Sequence, residues 1–347
     1  MRDTKRCEWM SQGKYGLMVH YLPDPKGNTF EEKIKDFNNT VNSFDLKRFM
    51  SYIDECDPAW VQFTIAQNTG YYIGPNEYID SHIKDHTSER DLVLEIAKEM
   101  KKRGKHFLCY LPGETCANCE KHPELYPVFK WDPSDPKREA FCKAWYEVYK
   151  AYSLKFGKDC DGWWIDGCYD CYTNGFWDWH KFAEALRMGN PDSALAFSDG
   201  SFCIDSLYNI SDENDFFPGE VTACQQGQIR LDPEIYDFCI RDECKDCRTT
   251  PEGFAPSKYG VKLFEPTEKY IDGALAHALV PFDWLWAIND LETPWIEYSS
   301  EELIKLVSSF NAVGGAVTLN AGITMEGEIP EKSMKKLIEV RKAVRGN

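Results

Sequence analysis

The chain is short of positive charge: 40 Lys and Arg stand against 57 Asp and Glu, a formal net charge of −17 at pH 7. A surface of that sign repels nucleic-acid phosphates and anionic membrane faces, so neither is expected as a partner. Long apolar runs are missing too. None reaches the roughly 18 residues of a membrane-crossing helix, and Met1 to Met10 lacks the apolar segment of a secretion signal. Taken as given, the chain reads as cytoplasmic, although one already trimmed of a leader would look the same. There is no low-complexity linker and no internal repeat, so residues 1–347 read as one domain. The sequence leaves a homo-oligomer open.

Two residue classes are abundant. Aromatics make up 14% of the chain, with 11 Trp and 18 Tyr; such rings fill a wide core and also stack on sugar faces. The 14 cysteines include three Cys-x-x-Cys pairs, Cys116 with Cys119, Cys168 with Cys171, and Cys244 with Cys247. Two pairs brought together, Cys116, Cys119, Cys168 and Cys171, would make a tetrahedral thiolate zinc site. Neither the spacing between pairs nor any glycine knuckle matches a zinc ribbon, so reduced structural thiols are the expectation, with no metal and no cofactor.

Strand and helix patterns alternate along the chain. Apolar runs at 16–21, 60–65, 106–111, 162–166, 194–198 and 315–320 read as strands, with weaker candidates at 220–223 and 279–283. Between them lie amphipathic stretches: one from Phe44, one over 89–103 capped by Ser88, one from Pro136 to Phe156, one over 177–188, one capped by Ser299 or Ser300, and one opened by Pro330. Asp24 to Val41 reads as a polar excursion. Eight strands in βα order over one domain predict a single (β/α)8 barrel with long irregular loops.

The stretch Gly162-Trp163-Trp164-Ile165-Asp166-Gly167 ends a buried strand on a carboxylate, at the sheet end where barrels do their chemistry. With other stretches it resembles the α-L-fucosidases, glycoside hydrolase family 29. Gly16 to Tyr21 is similar to that family's first strand, whose His contacts the sugar; Thr64 to Tyr71 falls where the family has paired histidines; and Gly162 to Gly167 resembles the strand that ends in the nucleophile. Tyr298 to Leu303, Gly314 to Asn320 and Gly327 to Pro330 follow in the family's order. The resemblance implies a retaining exo-glycosidase with a carbohydrate substrate and no metal requirement. It makes Asp166 the nucleophile, and His20, Gln67, Asn68, Tyr71, Trp164 and Trp286, with Trp284 beside it, the candidates for holding the sugar. Asp215 to Glu220 resembles the family's acid/base stretch. Glu220 is the candidate, with Glu213 and Asp215 as alternatives, because burial among aromatics raises a carboxyl pKa toward the working range.

The departures bear on substrate. Gln67 and Asn68 replace the histidine pair, and Ser198-Asp199-Gly200 lacks the family's arginine. Carboxamides still donate to and accept from hydroxyls, so fucose, a related deoxy-sugar or a galactose-like sugar all remain. Two other classes compete: an inactive sugar-binding barrel of the same fold, and a scaffold in which the Cys-x-x-Cys pairs are the point.

Overall fold

The computed structural model describes residues 4–67, 69–113, 122–132, 134–135, 137–168, 177–198, 210–219, 266–283 and 298–346. Among these, seven strands form one sheet: β1 (Tyr15–Val19), β2 (Trp60–Thr64), β3 (His106–Pro112), β4 (Gly162–Asp166), β5 (Ala194–Phe197), β6 (His277–Pro281) and β7 (Ala316–Ala321). Their order is β5-β4-β3-β2-β1-β7-β6, and every neighbouring pair is parallel. The last strands lie beside the first, so the sheet curls. At its open edges, the backbone of residues 215–219 bonds on one side to β5 (Asp215 N to Leu195 O, 2.8 Å) and on the other to Leu275 and β6 (Phe217 N to Leu275 O, 3.0 Å; Leu279 N to Gly219 O, 2.7 Å).

Side chains alternate across the strands, and two cores result. The outer core takes Leu17, Val19, Val61, Phe63, Phe107, Cys109, Trp163, Ile165, Leu195 and Phe197 against the helices. The inner core takes Met18, Trp60, Leu108, Tyr110, Trp164, Ala194, Ala196 and Leu279, with Phe216 from the 215–219 segment. Large rings fill the inside because small residues face them. A Cβ at Gly16 would lie 2.1 Å from the Trp60 indole, so β1 carries glycine where that ring crosses.

Helices return the chain between strands: α1 (Phe30–Ser43), α2 (Leu46–Cys56), α3 (Leu92–Lys102), α4 (Glu139–Phe156), α5 (Trp179–Arg187), α6 (Ser300–Ala312) and α7 (Glu331–Arg345). Among the described residues, none is long and apolar enough to cross a membrane. Two expectations are corrected. The excursion at 24–41 contains α1, started by a reciprocal Thr29–Glu32 capping box and seated by Phe37 and Val41; a mostly polar surface masked that narrow apolar stripe. The cap of α3 is Asp91, whose side chain accepts from Leu94 N, while Ser88 Oγ instead accepts from Gly74 N. The weak strand candidate at 220–223 lies outside the described residues.

Candidate active site

Asp166 ends β4 and faces inward two residues beyond Trp164, as strand periodicity requires. Gly167 follows with φ +70°, a left-handed turn that suits glycine and carries the chain off the sheet end. Below the carboxylate, the Trp164 indole donates to Pro218 O (3.1 Å) and stacks on Tyr110 at 5.1 Å and 14°. Tyr110 is the register partner of Trp164 on β3, and its hydroxyl donates to Asp166 Oδ2. These two rings make a rigid floor.

A second arm reaches the same oxygen from β2. Gln67, just past that strand, donates through Nε2 to Asp166 Oδ2 at 2.6 Å, and its Oε1 lies 2.6 Å from His20 Nε2. An amide that donates to a carboxylate turns its carbonyl away, so the histidine must donate: His20 Nε2–H, then Gln67, then Asp166. His20 follows β1, is 3% exposed and meets the edge of Tyr110 at 5.1 Å. Burial pushes its imidazole down to about 4, against the Gln67 hydrogen bond, so the ring is neutral at physiological pH. Four consecutive strands thus deliver His20, Gln67, Tyr110 and Asp166 to one point.

The two donors, Gln67 and Tyr110, orient the carboxyl group of Asp166, which at 5% exposure is largely shielded from water. Tyr110 was not anticipated from the sequence, because its partnership depends on the β3–β4 register. The only signal was its place in a strand adjoining that of Asp166.

Other candidates are placed elsewhere. Tyr71, 3% exposed, stacks on His86 at 5.4 Å and packs against Phe37 of α1. Trp164 shares the inner face with Asp166 but is buried as floor. Glu213 pairs with Arg187 (2.9 Å) and His180 (3.2 Å) along α5. Asp215 pairs with Arg187 (2.7 Å) and accepts from Leu195 N (2.9 Å), opposite Trp163 in register, three residues below Asp166. Three strand residues span roughly 10 Å, about twice the separation a retaining pair needs. Both carboxylates are engaged with Arg187 of α5. Cys168 is buried, with its thiol 3.7 Å from Ile165 O, and among the described residues no group of three or more His, Cys, Asp or Glu is arranged to hold a metal. Asn68, Cys116, Cys119, Cys171, Cys244, Cys247, Glu220, Trp284 and Trp286 lie outside the described residues.

The model of the alpha-L-fucosidase family matches residues 3–222, a span that includes all four strands feeding the cluster. The chain belongs to the α-L-fucosidase family. This fucosidase-family chain is accordingly a glycoside hydrolase. A search of curated proteins found no match. Among solved structures it is similar to the endo-fucoidan hydrolase P5AFcnA of glycoside hydrolase family 107, at 15% identity and TM-score 0.66, covering 97% of this chain and 92% of that one. It is also similar to α-L-fucosidase isoenzyme 1 from Paenibacillus thiaminolyticus, at 17% identity and TM-score 0.64, covering 99% and 76%. A third likeness is a variant of the α-L-fucosidase AlfC in complex with Fuca(1,6)GlcNAc, at 14% identity and TM-score 0.55, covering 97% of each chain. At these identities the likenesses of the fucosidase-family chain speak for fold.

Proposed function

We propose that the protein removes a terminal α-L-fucosyl or closely related sugar from a glycan by double displacement, with Asp166 as the attacking carboxylate. The observation that carries this reading is the pair of donors, Gln67 Nε2 and Tyr110 OH, aimed at one oxygen of a buried carboxylate at the end of β4. In the first step, Asp166 bonds to the anomeric carbon as the glycosidic C–O bond breaks, and the leaving oxygen takes a proton from the acid. In the second, water deprotonated by that same group releases the sugar and frees Asp166.

Glu220 is our proposed acid/base. The chain leading to it supports this: Pro218 is tied to the Trp164 indole, so the segment up to Gly219 runs toward the same sheet end as Asp166. The edge bonds made by residues 215–219 support a barrel closed as (β/α)8 in a single domain. The fucosidases among the structural neighbours support fucose, while Gln67 in the place of a histidine fits a pocket with uncharged donors.

The test is release of nitrophenol from a panel of aryl α-L-fucosides and α- and β-galactosides, together with an internally linked fucan oligosaccharide, by wild type and Asp166→Ala. The expected outcome is one cleaved glycoside, a dead mutant, and turnover restored by azide as a glycosyl azide. Cleavage of the internal linkage alone would replace exo by endo action. Sugar binding without turnover of anything would leave an inactive sugar-binding barrel.

A further inference from the structure

Phe30 opens α1 and is 44% exposed, the only aromatic among the large hydrophobic side chains exposed in the described residues. Its ring is held in place. It lies over His86 at 5.5 Å, His86 stacks on Tyr71, and Tyr71 packs on Phe37 of the same helix. The Thr29–Glu32 capping box fixes the turn from which the ring projects. An exposed ring ordinarily forfeits hydrophobic stabilisation; one backed by three further rings is a prepared platform.

The platform heads a cleft of about 410 Å³. Phe30, Ile34, Asn38 and Asn42 recur at four-residue intervals, so they lie along one row of α1, and Asn39 with the charged Glu31, Lys35, Asp85 and Glu89 completes the wall. Asn38 is engaged, accepting from Glu89 N and donating to Ile34 O, while Asn39 and Asn42 lie exposed on the helix. Carboxamides both donate and accept, as sugar hydroxyls do. The negative face of a phenyl ring suits the weakly positive C–H face of a pyranose. With a net charge of −17, the protein repels polyanions. Glu31, Asp85 and Glu89 against the one Lys35 make the lining net acidic, which disfavours anionic chains, so a neutral polyhydroxylated chain fits it better.

The cleft is also tied to the active site. Residues 20–29 connect His20 directly to Phe30, and His86 Nδ1 bonds to Gly70 O (2.8 Å), in the loop that carries Gln67. We propose that this cleft is a distal subsite for neutral sugar residues beyond the one cleaved, with Phe30 as its stacking platform. It rests on the glycosidase reading for which residue is cleaved.

The experiment compares wild type, Phe30→Ala and Phe30→Trp on the aryl glycoside identified by the panel and on a neutral tetrasaccharide ending in the same sugar. Thermal melts confirm that the variants fold. The expected result is that Phe30→Ala lowers the ratio of kcat/KM for tetrasaccharide over aryl glycoside at least five-fold, through KM, while Phe30→Trp keeps it. An unchanged ratio in Phe30→Ala overturns the proposal. If wild type cleaves neither compound, the glycosidase reading fails and calorimetric titration with a neutral fucosylated tetrasaccharide decides the subsite. Binding weakened in Phe30→Ala and kept in Phe30→Trp upholds it; equal binding in all three, or none in wild type, overturns it.

Discussion

The relay from His20 through Gln67 to Asp166 makes a quantitative prediction, because its middle member has both polar ends engaged at 2.6 Å. Gln67→Leu leaves a buried His20 N–H without an acceptor, a penalty of about 1–3 kcal/mol. It also removes one donor from a shielded carboxylate, about 1.5–3 kcal/mol more. His20→Phe alone strands the Gln67 carbonyl, again about 1–3 kcal/mol. In the double variant nothing is stranded between positions 20 and 67, and only the bond to Asp166 is lost. The two single losses should therefore exceed the double loss by about 2 kcal/mol or more. Urea unfolding of the four proteins at pH 7 measures this directly. A cycle that closes to within about 0.5 kcal/mol would mean independent sites, and would refute both the directed relay and the donor role assigned to His20.

Other consequences are simpler to check. His20 and His277 are both pushed down to about 4 by burial. With folded values below the unfolded value of about 6.5, their contribution is complete above pH 6.5 and is lost as pH falls toward 4, by ~1.4 kcal/mol per unit for each. Denaturation midpoints between pH 7 and 4.5 should show that fall, and His277→Gln should flatten it. Asp215→Asn should lower stability by about 1.5–3 kcal/mol, the range of a hydrogen bond between charged groups, since Arg187 loses Asp215 but keeps Glu213; azide should restore no turnover there, as it would for a missing acid. Glu213→Gln, which alters a part-buried ion pair with Arg187, should keep kcat/KM for the cleaved aryl glycoside within about two-fold. Gly16→Ala forces a methyl into the Trp60 ring and should lower stability by about 1–3 kcal/mol, read as a fall in Tm.

Much of the fold could be read from local pattern. The strands at β1 to β5 and β7 were visible as short, mostly apolar runs between turn residues, because a strand covered on both faces has few polar positions to interrupt it, Gln62 in β2 and Asn320 in β7 among them. α4 and α6 were equally plain from helical spacing and caps. α1 was missed although Thr29 and Glu32 carry the capping-box signature, since its apolar stripe is only Phe37 and Val41 with Ile34 at the margin. The ring partners of Tyr71 were not legible for a related reason. A tyrosine beside a polar turn looks the same whether it faces a sugar or packs against Phe37 and His86.

By itself, then, the sequence determined the order of βα units, the sign of the surface charge and the place of Asp166 at a strand end. These depend on neighbours within a few residues along the chain. Only the tertiary structure decided which side chains meet Asp166. Tyr110 reaches it through the β3–β4 register, Gln67 through the curl of the sheet, and His20 through Gln67, while Asp215 is tied to Leu195 of β5. Such meetings depend on register and curvature, which arise from packing across the curled sheet and are written in no single stretch of the chain.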